Sequence, residues 1–230
     1  MSIAEVITET QVELTQALAD FVESELANAI ALRGHASLVV SGGSTPKPLF
    51  TELRRRALPW SQITITLADE RWVDVTSKDS NEAMVRDVLL RGAAAEANFI
   101  ALKNSASSAA EGLEMCEQAI ANILLPFDVV ILGMGEDGHT ASLFPGVSGP
   151  ALNAKNPELC AAIKPPVAPY ERLSLTASAL LNSRKIILHI VGDKKWQVYL
   201  DARKAGPLDE FPIRTVLHQG DTPVDVYWSA

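Results

Sequence analysis

Cysteine is nearly missing from this chain: only Cys116 and Cys160 occur in 230 residues. Two thiols without metal-ligand spacing cannot build a disulfide framework, and they read as ordinary reduced, structural cysteines of a cytoplasmic protein. Basic runs are also scarce. The longest is Arg54–Arg56, inside an expected helix, and the net charge of −8 argues against a nucleic-acid-binding surface. An anionic ligand would therefore have to be caught by a local positive site. No stretch approaches about 18 apolar residues, so no membrane-spanning helix is expected. The N-terminus carries Glu5, Glu9 and Glu13 where a secretory signal would be basic. The four histidines form no H-E-x-x-H or comparable ligand cluster, and no metal is expected. Ser41, Ser44 and Ser142 stand in no G-x-S-x-G elbow, which favours activated water over a serine nucleophile.

What is present is ample apolar material: 47% of residues are hydrophobic and 21% charged, enough for one large core, and one domain over residues 1–230 is expected. Leu14, Ala17, Leu18, Phe21, Val22, Leu26 and Ile30 recur at helical spacing, which predicts a first helix over Val12–Leu32 closed by Gly34 in a left-handed cap. Short apolar runs suited to buried parallel strands follow at Ser37–Val40, Ile63–Leu67, Phe99–Leu102, Phe127–Leu132, Leu173–Thr176, Lys185–Val191 and Val224–Trp228. Helical patterns at Pro46–Ala57, Asn81–Arg91, Ala106–Leu124, Ala177–Ser183, Asp193–Lys204 and Pro212–His218 separate most of them. The alternation predicts a single-domain, doubly wound α/β fold whose mostly parallel sheet carries helices on both faces. Residues 146–169, rich in Gly, Pro and Asn, read as a long surface connection.

Three strand ends carry residues suited to chemistry. After Val40 comes Ser41-Gly42-Gly43-Ser44-Thr45-Pro46, in which two glycines let backbone approach an anion, Ser44 and Thr45 add hydroxyl donors, and Pro46 opens a helix. A tight strand–helix turn capped by Thr is the plain alternative. The spacing is not that of a nucleotide P-loop. After Leu132 comes Gly133-Met134-Gly135-Glu136-Asp137-Gly138-His139, a literal G-x-G-x-x-G. Pro145, Gly146, Gly149 and Pro150 break the helix that a dinucleotide site needs, so no nicotinamide cofactor is expected. His139 remains as the natural base near neutral pH, while His35, His189 and His218 read as structural. Asp137 could orient the imidazole, hold substrate hydroxyls or stabilise the turn. After Leu67 comes Ala68-Asp69-Glu70-Arg71-Trp72, whose acids could be catalytic, substrate-orienting or surface features; the Arg71 guanidinium could polarise a carbonyl. Arg172 and Lys194 are further cations that could neutralise phosphate or simply be solvated.

Taken together, Ser41–Pro46, Asp69-Glu70-Arg71-Trp72-Val73, Ser80-Asn81, Gly133–Pro145, Pro165-Pro166, Arg172-Leu173-Ser174-Leu175-Thr176 and Gly192-Asp193-Lys194 resemble the 6-phosphogluconolactonases, block by block from about Ser41 to Trp196. The resemblance implies hydrolysis of 6-phospho-D-glucono-1,5-lactone without a cofactor. It implies that Gly42, Gly43, Ser44 and Thr45, with Arg172 and Lys194, hold the phosphate. It further implies that Asp69 belongs to the substrate site, that His139 activates water and that Arg71 steadies the oxyanion. Adjacent Lys195 could replace Lys194 in that role. The partner implied is a small sugar-phosphate lactone, with no nucleic acid, membrane or obligate protein partner. Glucosamine-6-phosphate deaminases share several of these blocks, but their Asp-Gly-His-Ile-Ala-Phe-Asn-Glu-Pro-Gly differs here, where Leu143-Phe144 replaces Asn-Glu. A sugar-phosphate sensor, which would keep the phosphate loop but need no base, is the non-enzymatic alternative.

Overall fold

Six of the seven expected apolar segments pair as parallel strands. The computed structural model describes residues 3–147 and 149–230; Met1, Ser2 and Ser148, the last within the connection expected over 146–169, lie outside the described residues. Seven strands, β1 (Ala4–Thr8), β2 (Ala36–Val40), β3 (Ile63–Leu67), β5 (Asn98–Ile100), β6 (Val129–Leu132), β9 (Ile186–Val191) and β10 (Val224–Ser229), form one sheet in the order β1-β10-β9-β6-β2-β3-β5. Every pairing in it is parallel. The central strands β2 and β6 are buried along their whole length, as a sheet covered on both faces requires.

Helix α1 (Gln11–Arg33) begins at Thr10, whose hydroxyl accepts the Glu13 N–H while the Glu13 carboxylate accepts the Thr10 N–H, and ends at Gly34 with φ of 76°. The remaining helices are α2 (Lys47–Leu53), α3 (Asn81–Val88), α4 (Ala109–Ile120), α5 (Ala177–Leu181), α6 (Asp193–Ala202) and α7 (Arg214–Leu217). The chain steps one way across the sheet through β2, β3 and β5, then returns to the other side of β2 at β6 and continues through β9 to β10. Right-handed crossovers put the connecting helices on opposite faces for the two directions. The contacts agree, with α1 and α2 packed together and α5 against α7. One contiguous core results, from Leu14 to Tyr227, in which Trp60, Phe50, Phe127 and Tyr199 are fully buried. Each buried Leu, Ile or Val there contributes about 1.5–3 kcal/mol.

Three expectations are corrected. The strand predicted at Leu173–Thr176 is β8 (Arg172–Leu175), and it is not part of the parallel sheet. It lies between β4 (Asp69–Arg71) and β7 (Cys160–Ile163) in a small antiparallel sheet, because its partners come from residues read as loop. The connection over 146–169 consequently contains a strand. The first element is β1 and not the long helix; it pairs with β10 at the sheet edge, and its Glu5 accepts a hydrogen bond from the buried Tyr199 hydroxyl at 2.6 Å. The two cysteines meet in the core where α4 packs on β7, with Sγ atoms 3.3 Å apart; the contact with Cys116 and burial push the Cys160 thiol far up. No helix among the described residues is long and apolar enough to cross a membrane.

Candidate active site

The reversal of direction between β2 and β6 leaves a crevice at their carboxyl ends, the place where open α/β sheets bind ligands. A cavity of about 360 Å³ occupies it, lined by Ser41–Pro46 from the β2 loop, Gly133–Gly135 and His139 from the β6 loop, Asp69 and Arg71 from β4, and Arg172 from β8. The two loops are tied to each other: Ser41 Oγ donates to the Ile131 carbonyl at 3.0 Å and accepts the Gly133 N–H at 3.3 Å.

Gly42 is required by close approach. A Cβ there would lie 1.9 Å from Asn81 Oδ1. Asn81 in turn donates from Nδ2 to the Asp69 carbonyl at 2.8 Å, joining the phosphate-type loop to β4. Helix α2 starts one residue later than expected, at Lys47, with Pro46 at its cap and no side-chain cap bond. Thr45 is therefore not the capping residue, and it lines the cavity.

The acid pair divides. Glu70 is buried and turned away from the cavity: its carboxylate accepts the N–H groups of Arg71, Asn81 and Glu82 at 2.7–2.8 Å and the Ser80 hydroxyl at 3.0 Å, fastening β4 to the start of α3. Burial pushes its pKa up against the pull of those four bonds. Asp69 faces the cavity, accepts the Ser142 hydroxyl at 2.5 Å, and stands 4.0 Å from Arg172 Nη1.

Arg71 and Arg172 sit opposite each other in the β4–β8 register, so two guanidiniums share one wall of the cavity. Arg71 is anchored by Nη1 to the Asp79 carbonyl at 2.6 Å and Arg172 by Nη2 to the Pro169 carbonyl at 3.2 Å. The Nε of each is buried without a partner among the described residues. Burial draws the Arg172 pKa down, Asp69 opposes this, and Arg71 adds to it. Glu70 and Asp79 also pull the Arg172 pKa back up, and the two guanidiniums on one wall offer charged N–H donors to an anion.

In the β6 loop the G-x-G-x-x-G segment runs as turns instead of opening a helix, which agrees with its rejection as a dinucleotide site. Asp137 Oδ1 accepts the His139 N–H at 3.2 Å and contacts His139 Nδ1 at 2.5 Å. Asp137 thus contacts both the imidazole and the backbone of the turn, and it does not line the cavity. Gly135 makes room for this ring, since a Cβ there would meet Nδ1 at 2.2 Å. Phe144 packs against the His139 ring with centroids 4.7 Å apart. With Nδ1 engaged, Nε2 is the nitrogen left for chemistry.

Lys194 is corrected. It is exposed in the first turn of α6, whereas Lys195, one residue on, lines the cavity. Burial lowers the Lys195 pKa, opposed by Glu136. His189, expected to be structural, lies in β9 on the cavity wall, while His35 and His218 are tied to backbone carbonyls at 3.0 and 2.9 Å. The signal available in sequence was its place near the carboxyl end of a strand feeding Gly192-Asp193-Lys194-Lys195. Among the described residues no group of three His, Cys, Asp or Glu side chains could hold a metal.

The family model described as glucosamine-6-phosphate isomerases/6-phosphogluconolactonase matches residues 9–228. A 6-phosphogluconolactonase of Rhizobium meliloti (strain 1021) is 43% identical over 225 residues, covering 97% of each chain. One from Pseudomonas putida is 40% identical over 217 residues, covering 94% of this chain and 88% of that protein. The crystal structure of a 6-phosphogluconolactonase from Shewanella baltica OS155 superposes with a TM-score of 0.97 at 47% identity, covering 100% of this chain and 98% of the other.

Proposed function

The chain belongs to the glucosamine-6-phosphate isomerase/6-phosphogluconolactonase family, and from that premise we infer that its cavity hydrolyses 6-phospho-D-glucono-1,5-lactone to 6-phosphogluconate with His139 as the base. The reaction is the lactone-opening step of the oxidative pentose phosphate pathway, and the enzyme is a hydrolase acting in the cytoplasm. The observation that carries the reading is the convergence, in one cavity, of an anion-binding glycine loop, paired guanidiniums and an imidazole oriented by a carboxylate.

The phosphate is held by the backbone and hydroxyls of Gly42, Gly43, Ser44 and Thr45, with Arg172 and Lys195 supplying charge. Asp69, fixed by Ser142, accepts from a sugar hydroxyl. His139 Nε2 takes a proton from water as the water oxygen bonds to the lactone carbonyl carbon. Charge develops on the carbonyl oxygen, where Arg71 stabilises it. The tetrahedral intermediate collapses by breaking the bond to the ring oxygen, which takes the proton back from the imidazolium, and the carboxylic acid product ionises. Remote phosphate binding holds the ring in place for this attack.

Phe144 favours hydrolysis over deamination, because it occupies the position of the deaminase carboxylate and presents an apolar ring to His139. The test is proton release from freshly generated 6-phosphogluconolactone, with spontaneous opening subtracted, beside glucosamine 6-phosphate. Catalysed lactone opening without ammonia release is expected. Turnover of the amino sugar alone would replace this reading.

A further inference from the structure

His189 is 4% exposed, yet it forms part of the cavity wall one residue beyond the Leu132–Leu188 pair of β6 and β9, level with the start of the Gly133 loop. Its Nδ1 is buried with no hydrogen-bond partner among the described residues. A buried N–H with no acceptor is rarer in proteins than a buried acceptor left unused. The ring proton is therefore assigned to Nε2, which is not among the buried unpartnered atoms and is the nitrogen left for the cavity that the residue lines. Burial, and after it the positive charge of Lys195, pull the His189 pKa down to about 4, so the ring is neutral at working pH and offers one N–H donor. A group that Lys195 attracts into this end of the cavity meets that donor as well, because the two side chains are close enough for the ammonium to act on the imidazole.

We propose that His189 is a substrate-binding residue, donating from Nε2 to a phosphate oxygen of the sugar phosphate beside Lys195. The inference rests on the lactonase reading of the cavity and adds to it a neutral donor in a site otherwise supplied with cations and backbone amides. Such a donor fits a phosphate oxygen without adding a third formal charge beside Arg172 and Lys195. It also gives the otherwise unused ring of His189 a partner when the site is filled.

Two measurements test this. In wild-type protein labelled with ¹⁵N-histidine, the four imidazoles are resolved and titrated with 6-phosphogluconate and with inorganic phosphate. His189 should show the Nε2–H tautomer, and its Nε2 resonance should move with saturation by either probe. An Nδ1–H tautomer, or a resonance that stays put while calorimetry shows binding, would overturn the proposal. Separately, His189→Leu should raise the dissociation constants of both probes about tenfold or more, the loss expected for one hydrogen bond to a charged group. His189→Gln, which can again place an N–H near the Nε2 position, should recover most of that loss. A merely structural histidine would not be rescued this way, and equal affinity of His189→Leu and wild type would also refute the assignment. Wild-type protein that opens the lactone and binds both probes, but shows no His189 response, sinks this inference alone. Wild-type protein that binds neither probe sinks the lactonase reading with it.

Discussion

Replacing Gly42 by Ala adds a single carbon where the structure has no room for it. The new Cβ would lie 1.9 Å from Oδ1, 2.2 Å from Cγ and 2.6 Å from Nδ2 of Asn81. Gly42 does not have a left-handed φ, so the cost is steric and not backbone strain. Asn81 cannot swing away freely, since it is 2% exposed, its Nδ2 holds the Asp69 carbonyl at 2.8 Å, and its own N–H is held by Glu70 at 2.8 Å. Overpacking costs about 1–3 kcal/mol and the displaced hydrogen bond about 1 kcal/mol more, for a total of about 2–4 kcal/mol. For a chain of this size that lowers Tm by about 4–16 °C. The same displacement moves the anion loop against β4, so KM for the lactone should rise. The decisive assay is a double-mutant cycle by calorimetric unfolding. Asn81→Ala removes the obstructing atoms, so Gly42→Ala should cost at least about 1 kcal/mol less in that background. An equal cost in both backgrounds, or a Gly42→Ala protein as stable as wild type, would refute the close-approach argument.

Asp137→Ala removes the carboxylate that orients His139, and the loss of a charge-assisted hydrogen bond of about 1.5–3 kcal/mol should lower kcat by about 10- to 150-fold with little change in Tm, since Asp137 is half-exposed; unchanged turnover would leave Asp137 with the turn alone. Lys195→Ala should weaken 6-phosphogluconate binding about tenfold or more, whereas Lys194→Ala should stay within about twofold of wild type, and calorimetric titration of both variants decides between the adjacent lysines. His189 has a native pKa of about 4 against an ordinary 6.5, so the native state binds fewer protons than the unfolded chain between those values. Its contribution is complete above about pH 6.5, falls by about 3 kcal/mol as pH drops to about 4, and is flat below. Urea unfolding across that window should show the slope in wild type and its reduction in His189→Leu; identical slopes would mean that His189 is not the buried neutral group described.

The parallel sheet was legible because its strands are continuous apolar runs, and α1 because its buried stripe and Gly34 mark it at both ends. The strands that were missed carry no such mark. In β1, Glu5 and the exposed Ile7 give no alternation that would favour an edge strand, and its pairing partner β10 lies over 200 residues away. Asp69-Glu70-Arg71 has no strand propensity at all and is extended because β8 pairs with it. At the site, the glycine loops, Asp69, Arg71, His139 and Arg172 were legible because each follows or begins a strand. The division of labour between Asp69 and Glu70 was not, since it depends on which carboxylate meets the N-terminus of α3. Nor could spacing decide between Lys194 and Lys195, which lie about 100° apart around one helical turn. His189 was hidden for a related reason: in a strand buried on both faces, sequence does not show which face opens onto a cavity.

The central claim is that His139 removes the proton from the attacking water, and single-turnover hydrolysis by His139→Asn tests it most directly. Asn keeps a polar side chain but accepts no proton near neutral pH. With background opening of the lactone subtracted at each pH, the chemical rate should fall by roughly 10²- to 10⁴-fold. Binding of 6-phosphogluconate should persist through the phosphate site. A folded His139→Asn protein that opens the bound lactone at close to the wild-type single-turnover rate would contradict the account.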